Sequence, residues 1–232
     1  MQKLAAFIVL FFSPLGLIAN NIKDFLPPHA VIFDVGANIG DKTFYYLSLG
    51  ASTVLCIEPH PEVVLSLQNR YKGDPRIIIE PLGLSHEPGT LPFFPAKSNT
   101  ISTMASDWKM GRFKNECWEP EIQVLVTTLD LMIEKYGTPD FCKIDVEGYE
   151  WNVLMGLTKH IPYLSFEFAY EFLSAKTKPC IDRLTSIGFT HFNVAFGENP
   201  EFIFATWVDA ETLFSFLQNL QDTLSWGDIY AR

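Results

Sequence analysis

The sequence is short of several things, and each shortage removes a class of protein. Cysteine occurs four times in 232 residues and never as Cys-x-x-Cys, so neither a zinc knuckle nor a thioredoxin-type site is built. Cys56 and Cys142 fall in apolar stretches that read as buried strands, whereas Cys117 and Cys180 lie in polar surroundings. Isolated thiols acting as small hydrophobes suit a reducing compartment, which favours a cytoplasmic location. Basic charge is scarce too: 17 Lys and Arg against 27 Asp and Glu leave a net charge of −10. A nucleic-acid partner needs a basic face to release counterions, and none is offered here. Charged residues make up only 19% and hydrophobic ones 48%, which excludes a disordered or low-complexity chain.

Long apolar runs are almost missing. The exception lies in Met1 to Asn20, where Lys3 precedes the run Leu4 to Phe12, followed by Pro14, Gly16 and Ala19. That layout resembles a signal peptide. Pro14 and Gly16 stop the run well before the roughly 20 residues a spanning helix needs. Residues 4–19 therefore read either as a leader or weak membrane anchor, or as a helix packed on the domain. The remaining residues, 21–232, suffice for one domain and no more.

From Ala30 onward short apolar runs alternate with helical patterns, the signature of a mostly parallel, doubly wound α/β sheet. Strands are expected at Val31–Asp34, Thr53–Ile57, Arg76–Glu80, Phe141–Asp145 and Tyr163–Phe168, with helices between them. Residues 81–122, rich in Pro and Gly, break the rhythm and read as an excursion over the sheet. At the end, His191–Phe196 and Phe202–Val208 are expected to form an antiparallel hairpin around Gly197-Glu198-Asn199-Pro200, followed by a helix from Ala210. Dinucleotide-binding and flavodoxin-like domains lack such a hairpin.

Three motifs carry chemistry. Asp34-Val35-Gly36-Ala37-Asn38-Ile39-Gly40 leaves the first strand for a helix. Asn38 stands where a dinucleotide fingerprint has its middle glycine, and the last glycine comes one residue early. The turn is poorly built for a pyrophosphate, and Asp34 suits a cationic ligand better. Glu58-Pro59 ends the second strand, where a carboxylate can accept hydrogen bonds from ribose hydroxyls. Lys143-Ile144-Asp145-Val146-Glu147-Gly148 ends the fourth strand, so Asp145 and Glu147 should face the cleft. There a carboxylate could take a proton, hold a cationic group, ligate a metal, or merely offset a helix dipole. His60 and His86 could line the same cleft. Trp108, Phe113 and Trp118 could line an acceptor pocket or close a satellite core.

Together these motifs resemble the FkbM-type family of S-adenosylmethionine-dependent methyltransferases. The likeness runs through DVGANIGDKT (Asp34 to Thr43), IEPHP (Ile57 to Pro61), VTTLD (Val126 to Asp130), PDFCKIDVEGYEWNVLMG (Pro139 to Gly156) and SFEF around Glu167. It implies a class I methyltransferase fold: a doubly wound, mostly parallel seven-stranded sheet with a C-terminal antiparallel hairpin. It implies S-adenosyl-L-methionine as cofactor, held by Asp34, Gly36, Ala37, Asn38, Gly40 and Thr43 at the methionine part, Glu58 and Pro59 at the ribose, and Ser85 near the adenine. His86 stands where the family commonly has an acidic residue. Asp145 and Glu147 become the catalytic candidates, with Asp145 also a cofactor contact, and no divalent metal is required. The expected reaction is O-methylation of a small molecule or sugar hydroxyl. The rival readings are an exported or membrane-associated binding protein that keeps the fold, and a nicotinamide-dependent oxidoreductase.

Overall fold

The computed structural model describes residues 21–110 and 113–232. The leader-like segment, residues 1–20, lies outside them. Among the described residues no helix is long and apolar enough to cross a membrane.

The first half builds two βα steps and a third strand. β1 (Val31–Val35) leads through the glycine turn to α1 (Asp41–Ser48), β2 (Thr53–Ile57) to α2 (Pro61–Arg70), and β3 (Ile77–Glu80) ends the run. Pro61 opens α2 where its missing N–H costs nothing. The excursion contributes β4 (Gly83–Leu84) and β5 (Gly89–Phe93), which with β6 (Ile122–Thr127), the strand that follows it, form a separate three-stranded sheet in the order β4-β6-β5. Short 3₁₀ turns at Asn99–Ile101 and Ser106–Met110 occupy the span between β5 and β6. The chain continues with α3 (Leu129–Tyr136), capped by the Thr128 side chain, then β7 (Phe141–Ile144), α4 (Glu150–Met155), β8 (Tyr163–Ala169) and α5 (Lys178–Ser186). It ends with β9 (Phe192–Phe196), α6 (Ala210–Gln218) and β10 (Trp226–Ala231).

The main sheet has seven strands in the order β3-β2-β1-β7-β8-β10-β9, all parallel except β10. Strand order reverses between β1 and β7. Such a switch point opens a crevice beyond the strands' carboxyl ends, where ligands bind. Both faces of the sheet are covered. On one, Phe33, Ile144, Phe166 and Ile229 pack against Leu154, Leu184 and Leu217 of the helices. On the other, Ile32, Cys56, Phe141 and Tyr230 pack against Tyr46 and Leu67. Two-sided burial is why these strands are apolar throughout rather than alternating.

The C-terminal antiparallel pairing is present, but not between the two segments expected. Phe192–Phe196 is β9, whereas 201–208 forms no strand and meets β9 through one bridge, Phe192 to Val208, the bond from Ile203 N to Val194 O, and the Asn193 side chain, which donates to Phe204 O and accepts from Phe204 N. The antiparallel partner is β10, inserted between β8 and β9. Residues 201–208 cannot extend the ladder because their rings are used elsewhere. Phe204 packs on one side of the sheet, and Phe202 and Trp207 on the other. A second correction concerns Cys180, read as polar-facing: it is 1% exposed, because helical spacing turns it inward with Ile181 and Leu184.

Candidate functional site

A cleft of about 840 Å³ lies at the carboxyl ends of the central strands. One wall is the glycine turn. Gly36 sits at φ +80, and a Cβ there would be 1.7 Å from the Asp145 carbonyl oxygen, so only glycine lets β1 turn this close to the end of β7. Gly36 and Ala37 donate their N–H groups to Ile57 O at 2.9 and 3.2 Å, tying the turn to the end of β2. Asn38, at φ +48, then aims its N–H at Glu58 Oε2, 2.9 Å away.

Glu58 is held from both sides, since His60 N donates to Oε1 at 2.8 Å. The side chain is only 6% exposed, and burial pushes its carboxyl up to about 7 against the pull of those two bonds. Gly36, Ala37, Asn38, Glu58 and Pro59 all line the cleft. Asp34, Gly40, Thr43 and Ser85 do not line it; they stand behind the wall. Asp34 is buried beneath the turn, accepts a 2.5 Å bond from Thr43 Oγ1, and is pushed up by burial to about 6. Gly40, at φ +86, starts α1 against Leu67 and Tyr71, and Tyr71 donates its hydroxyl to the Gly40 carbonyl. Ser85 is fully buried beside Tyr149, with the two hydroxyls 3.2 Å apart. Strand alternation and local turn geometry, invisible to a motif, set these four back from the surface.

The opposite wall is acidic. Asp145 and Glu147 line it as expected, and Glu167 of β8 joins them; oxygens of the three carboxylates lie within 4.8 Å of one another. They are close enough to share a proton or to hold a cation. The β7–β8 register pairs Ile144 with Phe166, which sets Asp145 and Glu167 side by side at adjacent strand ends. Glu147 has φ +55, unusual for a residue with a side chain and a form of strain that gathers at functional sites. Its carbonyl accepts a 2.7 Å bond from Thr103 Oγ1, which anchors the excursion to this wall. Burial, then the adjacent Asp145 carboxylate, push both Glu147 and Glu167 well up.

Beneath the cluster, Lys143 is almost wholly buried between Asp228 (2.5 Å) and Asp145 (3.3 Å). Burial works against its charge, but the two carboxylates outweigh that and hold it protonated. Neither Lys143 nor Glu167 was singled out from the sequence as a site residue. The signal available was a charged side chain inside an otherwise apolar strand, which is rarely buried without a partner.

The excursion roofs the cleft with Phe93, Thr100, Ile101, Ser102, Met104, Trp108 and Phe113. Of the aromatic trio, Trp108 and Phe113 line it. Trp118 does not, and donates its indole N–H to Phe113 O at 3.1 Å. Trp108 lies flat on Gly148, where a Cβ would be 2.6 Å from its ring. His60 is buried behind Glu58 against Phe93, and His86 stays half-exposed; neither lines the cleft. At the mouth Lys42 pairs with Glu198 at 2.5 Å.

The sequence model of the methyltransferase FkbM domain matches residues 34–220, which contain the glycine turn, Glu58 and the three clustered carboxylates. The chain belongs to that family. The chain is also similar to the hexuronic acid methyltransferase AglP of Haloferax volcanii, with 30% identity over 140 residues. That alignment covers 59% of this chain and 53% of AglP, so the match spans about half of the relative's length. Its fold is similar to the crystal structure of the methyltransferase FkbM from Methylobacillus flagellatus, at a TM-score of 0.55 and 18% identity. The superposition covers 88% of this chain and 43% of that one.

Proposed function

We propose that the chain transfers the methyl group of S-adenosyl-L-methionine to a hydroxyl oxygen of a small molecule or sugar. The observation that carries the reading is Glu58, whose two carboxylate oxygens are fixed by the N–H groups of Asn38 and His60 beside a glycine turn. A carboxylate so placed accepts the ribose hydroxyls of an adenosine cofactor. The turn itself has no glycine at Asn38 to admit a pyrophosphate, which favours a nucleoside cofactor without one. The residues present fit the group. Gly36, Ala37 and Asn38 offer a close backbone surface, Glu58 and Pro59 the ribose edge, and Asp145 a carboxylate for the cationic end.

The cofactor supplies a sulfonium methyl group that is already electrophilic. The protein's part is alignment: the acceptor oxygen must lie in line with the methyl group, and its proton must leave. Asp145 and Glu147 stand where that end of the reaction belongs. Asp34, Gly40, Thr43 and Ser85 support the cofactor wall from behind, and residues 81–122 shape the acceptor side. The relative named for a hexuronic acid supports a sugar-sized acceptor. Four free cysteines fit a cytoplasmic enzyme.

Isothermal titration with S-adenosylhomocysteine and, separately, NAD tests the reading. Binding of the first alone, weakened by Glu58→Ala, is expected. Failure of S-adenosylhomocysteine to bind refutes it.

A further inference from the structure

The acceptor half of the cleft carries more chemistry than two catalytic carboxylates. Asp145, Glu147 and Glu167 crowd one wall, with Glu198 and Asp41 nearer the mouth. Among the described residues the cations in reach are Lys42, paired with Glu198, and Lys143, buried under Asp145 and Asp228. An acceptor carrying its own carboxylate beside the reacting hydroxyl would add a fourth acidic group to a wall where burial and Asp145 already push the Glu147 and Glu167 carboxyls up, and it would find no described cation free to balance it.

A second observation points to what does fit. Trp108 is 5% exposed, lines the same cleft, and its Nε1 has no hydrogen-bond partner. It lies on the Glu147 side of the wall, near enough to favour that carboxylate's ionised form, yet without a satisfying hydrogen bond. A buried N–H without an aligned partner, next to carboxyl groups that accept and, when protonated, donate, is complementary to hydroxyl groups, which do both.

The three carboxylates are not equivalent. Asp145 is engaged by the Lys143 ammonium at 3.3 Å. Glu147 is set in a strained backbone position by the excursion. Glu167 has no hydrogen-bond donor among the described residues, and it projects from a rigid strand rather than a loop. We propose that this subsite takes an uncharged, polyhydroxylated acceptor, with Glu167 removing the proton of the hydroxyl being methylated and Trp108 Nε1 donating to a neighbouring acceptor oxygen. The proposal rests on the methyl-transfer reading above. The C–S bond of the sulfonium donor breaks as the C–O bond forms; the sulfur keeps the electron pair as a thioether, and the hydroxyl proton passes to Glu167 and on to solvent.

The test uses the full chain, methyl-tritiated S-adenosylmethionine and a polar extract of the source organism separated by charge into cationic, uncharged and anionic pools. Label is expected in the uncharged pool. With that acceptor, Glu167→Gln is expected to lower kcat at least 100-fold and to abolish the rise of kcat with pH, while S-adenosylhomocysteine still binds. Trp108→Phe, which keeps the ring and loses only the N–H, is expected to raise the acceptor KM about 10-fold, the scale of one hydrogen bond. Label in the anionic pool, or in none, with S-adenosylhomocysteine bound, overturns the proposal. So does a Glu167→Gln enzyme with an unchanged pH profile. Loss of S-adenosylhomocysteine binding by the wild-type chain instead overturns the methyl-transfer reading on which the proposal stands.

Discussion

Lys143 Nζ donates to Asp228 Oδ1 at 2.5 Å, reaching from β7 across β8 to β10. The strand between them offers the small Ser165 at the register position of Lys143, which leaves room for the lysine to pass. The pair links the late-arriving antiparallel strand to the centre of the sheet, and it holds Asp145 by the same ammonium. A structural bond and a cleft-lining carboxylate thus share one buried cation.

Replacing that cation should therefore be costly. In Lys143→Met the Asp228 and Asp145 carboxylates lose their compensating charge, and breaking one side of a buried ion pair costs about 3–5 kcal/mol. Urea unfolding of the variant measures this directly. The double variant Lys143→Met with Asp228→Leu should regain part of the loss, because the orphaned carboxylate is removed.

Gly36→Ala should abolish cofactor binding and lower stability by several kcal/mol. Its Cβ would overlap the Asp145 carbonyl at 1.7 Å, and its φ of +80 is unfavourable for alanine by about 1–2 kcal/mol. The overlap is with backbone, so no rotamer change relieves it. Thermal unfolding with and without S-adenosylhomocysteine reads both effects.

Glu58 makes the ligand-free protein sensitive to pH. Its carboxyl is raised from 4.5 to about 7 by burial, so between those values the folded state keeps a proton that the unfolded state has lost. Stability is then fully present below pH 4.5 and falls as pH rises toward 7, by at most about 3 kcal/mol from this group. Asp34 and Glu150, raised to about 6 and about 7, act in the same direction. Ribose hydroxyls donating to Glu58 favour its ionised form, so S-adenosylhomocysteine should bind more tightly as pH passes 7 and should release a proton. Calorimetric titration in buffers of different ionisation enthalpy counts that proton, and Glu58→Gln should abolish it.

Ser165→Ala should be nearly neutral or slightly stabilising. The Ser165 hydroxyl is buried and has no hydrogen-bond partner, so removing it relieves an unpaired polar group and leaves the lysine's passage open. A midpoint in urea lowered by more than about 1 kcal/mol equivalent would show that the hydroxyl has a role the geometry does not reveal.

Much of the wall around the glycine turn was legible in the chain. The order β1, glycine turn, α1, β2 depends on contacts a few residues apart: apolar runs, Gly36 where the chain reverses, Pro61 opening a helix. Those contacts are local, so their signals sit next to one another in the sequence, and Thr53–Ile57 appears with the boundaries expected of it. The acidic end was half legible. Asp145 and Glu147 belong to one short motif, but Glu167 comes from a strand 20 residues on and enters the site only because β8 lies beside β7.

The sequence by itself determined the α/β alternation, the glycine turn and the carboxylate at the end of β2, because each follows from side chains and dihedral preferences within a few residues. Only the tertiary structure decided which strand closes the sheet, which carboxylates meet, and what stands behind the wall. The six residues Trp226–Ala231 carry no local mark of a central strand, and Asp228 speaks against one. Its place is set by Lys143, 85 residues earlier, whose buried charge needs a partner. Pairings over such distances are settled by packing and charge compensation, and those exist only once the chain has folded.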